Sequence, residues 1–167
     1  MKTILIEDNL NVINCFIEAI KCKNDKNAEW HIIYCINTNS EKATLHEMER
    51  KEYNISYCEI SNSDGNAVDK LLIELTRIIN KPVRLFFDVE LFNEKKSVID
   101  YGQYISVKVY EQLKNKNINS NINSVIFYTT SNAGVNYKEF FDDTKLKVKF
   151  RPAADSNNVE EFVTFLS

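Results

Sequence analysis

Four short stretches of the chain end in residue types from which phosphoryl chemistry is built. Glu7 and Asp8 close the apolar run "TILIED", and Asp88 closes "RLFFD" with Glu90 following at D-x-E spacing. Thr129 and Thr130 close "VIFYTT", and Arg151 stands before Pro152 at the end of "KLKVKFRP". Three carboxylates gathered in one place repel and raise one another's pKa unless a cation neutralises them. A hard divalent ion such as Mg²⁺, held by oxygen ligands and water, suits such a set. With the ion in place, one carboxylate becomes a nucleophile toward a phosphoryl group, while ion, hydroxyl and side-chain cation stabilise the equatorial oxygens. The set reads as an aspartyl-phosphate site, provided the four stretches meet.

They meet if each stretch is a strand of one parallel sheet, because parallel strands bring their carboxyl ends to a common edge, where open α/β sheets bind ligands. The rest of the chain supports that arrangement. After "TILIED", Asn9 is a cap for a helix with Ile13, Phe16, Ile17 and Ile20 on one stripe. The strand-like "WHIIYCI" precedes "SEKATLHEMERKE", a weakly amphipathic helix starting at Ser40. "NISYCEI" is a third strand, and "SDGNAVDKLLIELTRIIN" a helix with Val68, Leu71, Leu72, Leu75 and Ile79 on one face. Beyond the Asp88 strand come a polar loop and a helix carrying Ile105, Val109 and Leu113, then the Asn-rich "KNKNINSNINS", which reads as a solvated helix end and loop. A short helix is expected around "NYKEFFDD". In "KLKVKFRP" lysines alternate with Leu146, Val148 and Phe150, as in a half-exposed edge strand, and edge lysines discourage aggregation. A last helix, capped by Ser156 or Asn158, places Val159, Phe162, Val163 and Leu166 on one face.

Alternating strands and helices predict an α/β fold with a doubly wound, mostly parallel sheet and helices on both faces. At 167 residues, with 44% hydrophobic and 27% charged residues, the chain suits one globular domain spanning 1–167. A net charge of -3 gives no bulk attraction for nucleic acid or an anionic membrane. No apolar run nears the roughly 20 residues of a membrane span, and the start shows no signal-peptide pattern, so a cytoplasmic location is expected. Cys15, Cys22, Cys35 and Cys58 form no C-x-x-C pair, which leaves zinc and redox motifs unsupported and buried free thiols as the reading. His31 and His46 read as structural. The three glycines form no phosphate-binding cluster.

In their order and positions, "ILIEDN", "LFFDVEL", "VIFYTT" and "FRP" resemble the first-strand acidic pair, phosphoacceptor strand, hydroxyl strand and Lys-Pro position of the receiver domain of two-component response regulators. The resemblance implies a flavodoxin-like three-layer α/β/α core. It implies Mg²⁺ at Glu7, Asp8 and Asp88 with the backbone carbonyl of Glu90, phosphorylation on Asp88, and phosphate contacts from Thr129 and Arg151. It further implies a histidine kinase or phosphotransfer protein as donor and a downstream protein effector, with no direct nucleic-acid or membrane partner and a homodimer among the allowed assemblies.

The chain also departs from that family. Arg151 replaces lysine, and a planar guanidinium is not interchangeable with an ammonium; it could bind phosphate or pair permanently with Asp88. An Arg-Pro bond here invites a cis peptide that would aim residue 151 inward. Phe92 stands where proline is usual, the loop before Tyr101 and Gly102 is long, and Val148 occupies the place of the switching aromatic. Asp8 to Asp88 spans 80 positions, room for one additional β-α unit, since a βαβ unit takes roughly 30 residues. Three readings follow: a stand-alone phosphoacceptor signalling domain; a phosphorylation-independent pseudo-receiver working as a protein-interaction module; and a metal-dependent phosphoryl-transfer or nuclease domain with a loose Toprim likeness in Glu7, Asp88 and Glu90.

Overall fold

A computed structural model of the chain describes residues 1–36, 51–93, 104–129 and 145–167. The helix expected from Ser40, Tyr101 and Gly102, Thr130 and the helix around "NYKEFFDD" lie outside these residues. The elements run β1 (Lys2–Glu7), α1 (Leu10–Lys23), β2 (Glu29–Ile36), β3 (Ile55–Ser61), α2 (Ala67–Ile78), β4 (Val83–Asp88), α3 (Ile105–Lys114), β5 (Ile122–Thr129), β6 (Leu146–Phe150) and α4 (Val159–Leu166). The six strands form one sheet in the order β3-β2-β1-β4-β5-β6, and every pairing is parallel.

The inner strands are apolar on both sides because both sides are covered. Alternation sends Ile4, Ile6, Leu85, Phe87, Val125 and Phe127 to one layer, under Leu71 and Leu75 of α2 and Val109 and Leu113 of α3. It sends Leu5, Ile32, Phe86, Ile126 and Tyr128 to the other, under Ile13, Phe16 and Ile20 of α1 and Phe162 and Phe165 of α4. Each large side chain fully removed from water contributes about 1.5–3 kcal/mol, so these two layers hold the sheet flat between its helices. In the second layer Phe16 and Phe165 meet the Tyr128 ring edge-on at 5.9 and 5.6 Å, which fixes that tyrosine on the sheet.

Local chemistry sets the element ends. Asn9 caps α1 by accepting the N–H of Asn11 at 2.9 Å, and Asn24 ends it in the left-handed conformation at φ 45°. At α4 the residue before the helix, Asn158, makes no side-chain capping bond; the 3-10 turn leading into it is capped by Asp155, whose carboxylate accepts the N–H of Asn157 at 2.9 Å, and the side chain of Ser156 lies outside the described residues. Strand β6 is the expected edge, with Leu146 and Val148 on the core and Lys147 exposed, but Phe150 at its end is 56% exposed. Cys15 and Cys35 are buried thiols, whereas Cys22 is exposed and Cys58 half-buried. His31 is 4% exposed, and burial, reinforced by the charge of Lys2, lowers its pKa to about 4. No helix among the described residues is long and apolar enough to cross a membrane.

Candidate functional site

The two halves of the sheet diverge between β1 and β4. From β1 the chain passes through α1 on one face to β2, and from β4 through α3 on the opposite face to β5. Such a reversal leaves a crevice beyond the carboxyl ends of the two central strands. Register brings the expected residues to that crevice in order. Ile6 pairs with Phe87, so Glu7 and Asp88 end neighbouring strands. Asp88 pairs with Tyr128, which precedes Thr129, and Thr129 pairs with Phe150, which precedes Arg151. The Arg151 N–H extends the ladder to the Thr129 carbonyl at 3.2 Å.

At the bottom of the crevice Glu7 is fully buried. Its Oε1 accepts the N–H groups of Asp8 and Asn9, both at 2.9 Å, and its Oε2 lies 3.1 Å from the Tyr128 hydroxyl, which is also 3.1 Å from the Ile6 carbonyl. The Glu7 and Asp88 carboxyls stand side by side, with an oxygen of each within 4.8 Å of the other. Asp88 is 9% exposed, and its Oδ1 accepts the N–H of Glu90 at 3.3 Å. Burial, followed by the charge of Asp8, pushes the Asp88 carboxyl up to about 7; the bonds from Glu7 and the Glu90 N–H and the charge of Arg151 oppose this. Burial, then Asp88, then Asp8 raise Glu7 well above the ordinary carboxylate range.

Oxygen ligands of Glu7, Asp8 and Asp88 lie within 4.8 Å of one another, a donor set that fits a hard dication such as Mg²⁺. Asp8 and Asp88 lie nearer the surface, and Glu7, whose oxygens accept the N–H groups of Asp8 and Asn9 and face the Tyr128 hydroxyl, could add a remaining lone pair from below. Glu90 is exposed and meets Asp88 through its N–H. Thr129 is 3% exposed at the end of β5. Arg151 is half-buried, its backbone is trans to Pro152, and its guanidinium donates to the Pro152 carbonyl at 2.9 Å. The cis peptide expected at Arg151-Pro152 is not found. Among the described residues no ion pair joins Arg151 to Asp88; the guanidinium acts on Glu7 and Asp88 through its field.

Two further side chains build the site without a motif of their own. Tyr128 reads in sequence as one more core aromatic, and only the pairing of β5 with β4 puts its hydroxyl under Glu7. Ser106, fully buried at the start of α3, donates to the Val89 carbonyl at 2.8 Å and ties down the residue after Asp88. Phe92 is 3% exposed and sits at φ 60°, a left-handed conformation costly for a bulky residue and held here by its burial. Val148 is partly buried and packs against the α2–α3 layer. Compared with known proteins, the chain matches no family model, no curated protein and no solved structure.

Proposed function

We propose that the chain is a receiver-like signalling domain of a two-component phosphorelay, accepting a phosphoryl group on Asp88 with Mg²⁺ and signalling through contacts with another protein. The observation that carries this reading is the ordered convergence of Glu7, Asp8, Asp88, Thr129 and Arg151 from β1, β4, β5 and β6 on one crevice. Setting β3 aside, the strand order β2-β1-β4-β5-β6 matches the flavodoxin-like 2-1-3-4-5 order, and in this reading β3, the edge strand beside β2, is taken as the additional unit. The full order is also that of dinucleotide-binding sheets, but those carry a glycine-rich turn after the first strand, where this chain has Glu7, Asp8 and Asn9.

In this reading a bound Mg²⁺ supplies the positive charge that offsets the phosphoryl oxygens. Asp88 passes its proton to the free ring nitrogen of the donor phosphohistidine, and its carboxylate oxygen attacks phosphorus. The O–P bond forms as the donor's P–N bond breaks, the electron pair of that bond returns to the ring, and neutral imidazole leaves. Glu7, anchored by two backbone N–H groups and Tyr128, keeps the negative wall of the site in place. Thr129 offers a hydroxyl at the next strand end, and Arg151 retains N–H donors beyond the one given to Pro152.

Incubation with Mg²⁺ and a small phosphodonor should add one phosphoryl group by intact mass, absent in Asp88→Asn. No adduct under conditions that label an authentic receiver would instead select the pseudo-receiver, a constitutive protein-interaction module. The turn of Arg151 onto Pro152 favours that second reading.

A further inference from the structure

On the α2–α3 side of the sheet, away from the carboxyl-end crevice, three side chains of different elements converge. His31 comes from β2, Cys58 from the edge strand β3 and Glu74 from α2. His31 Nε2 lies 3.7 Å from Cys58 Sγ and 3.5 Å from Glu74 Oε1, and the three ligand atoms all fall within 4.8 Å of one another. From these contacts we infer that His31, Cys58 and Glu74 form a second cation site, suited to a zinc-class dication, with a fourth position open to solvent.

The 3.7 Å edge suits a thiol hydrogen bond as well as a metal cage, and the edge to Glu74 suits the cage better. An imidazole Nε2 directs a single bond in the ring plane, through either a lone pair or a hydrogen, so it cannot serve thiol and carboxylate together. The 3.5 Å separation from Glu74 is also long for an N–H···O bond, which prefers about 2.7–3.2 Å. Tetrahedral ligands at ordinary zinc bond lengths stand about 3.6 Å apart for nitrogen and sulfur and about 3.4 Å for nitrogen and oxygen. The observed 3.7 and 3.5 Å match both edges. A thiol, an imidazole and one carboxylate form a softer set than the all-oxygen group at Asp88, which points to zinc or cobalt rather than magnesium.

The surroundings fit a ligand set held in advance. Arg77 grips the Glu74 carboxylate with two bonds, Nη2 to Oε1 at 2.5 Å and Nε to Oε2 at 3.0 Å, orienting it as outer partners orient metal-bound carboxylates. The His31 side chain is 6% exposed and that of Glu74 17%, so the cluster is sheltered. Binding would release the thiol proton of Cys58 to solvent and leave thiolate and carboxylate to balance the dication. The site ties β2, β3 and α2 together.

The test uses the full chain, chelator-treated and titrated with Co²⁺ alone. One equivalent should bind with a thiolate-to-cobalt charge-transfer band in the near ultraviolet, release one proton, and be displaced by Zn²⁺ but not by excess Mg²⁺. Cys58→Ser should abolish the band and Cys22→Ser should keep it, with circular dichroism checking the fold. Arg77→Met, at an exposed position, should weaken binding about tenfold or more. Absence of the band at millimolar Co²⁺, or a band that survives in folded Cys58→Ser, would overturn the inference.

Discussion

Asp88 is a carboxyl whose ordinary state at neutral pH is disfavoured by its surroundings. Its folded pKa, about 7, lies above the ordinary value of an unfolded aspartate, so the unfolded chain sheds this proton first. The stability contributed by protonated Asp88 is present in acid and is lost as pH rises through about 7. His31 works in the opposite sense: its folded pKa of about 4 lies below the ordinary value, so it favours the folded state increasingly as pH rises to about 6.5. Comparing the wild type with Asp88→Asn isolates the aspartate. Without metal, the difference in melting temperature between variant and wild type should grow in favour of Asn between pH 5 and 8. Saturating Mg²⁺ should stabilise the wild type more than the variant at the alkaline end. Parallel melting curves for the two proteins across that range, with or without Mg²⁺, would contradict the assignment of Asp88 as the strained acid.

At the level of elements, the site depends on helices that dock by side chains far from it. The last helix, α4, ends against Arg84 of β4, which donates to the Leu166 carbonyl at 3.0 Å, the Ser167 carbonyl at 3.2 Å and Thr3 Oγ1 at 3.3 Å. A cation at a helix carboxyl end satisfies orphan carbonyls and complements the dipole. The arrangement has a cost, since Arg84 Nε is buried without a partner. Arg84→Met removes the cap together with the guanidinium that lies over the Phe86 ring. It should destabilise the protein by about 1–2 kcal/mol and speed amide exchange in the last turn of α4, while leaving α2 and α3 unchanged. Uniform exchange rates in α4 would show that Arg84 does not hold that helix.

Across the whole molecule, the two apolar layers decide where the carboxyl ends point. Phe16 is fully buried and touches Tyr128, Phe162 and Phe165, linking α1, β5 and α4 in one aromatic cluster beneath Glu7. Truncating it leaves a cavity in the layer that seats Tyr128. Phe16→Ala should cost about 3–5 kcal/mol in urea unfolding, a large share of a domain's typical stability. An unchanged urea midpoint would mean that this layer repacks freely and does not position the site.

Much of this was legible in the amino-acid order itself. Apolar runs ending in Glu7-Asp8, Asp88, Thr129 and Arg151 specify strands, and hydrophobic stripes such as Leu71, Leu72 and Leu75 specify the helices that cover them. Parallel pairing then suffices to predict that those strand ends share an edge, because direction alone brings them together. Side-chain partners were not legible, since they depend on register and docking rather than on local pattern. The hydroxyl of Tyr128 under Glu7 requires the β4–β5 register, and the guanidinium of Arg151 on Pro152 is a rotamer outcome. The placement of β3 outside β2 is a choice between sheet edges that no local signal records. His31, Cys58 and Glu74, 27 and 16 residues apart in turn, share no motif spacing; they meet only because β3 pairs with β2 and α2 lies across both. Short-range pattern determined the elements and the residues at their ends, and tertiary packing alone decided which of those residues touch.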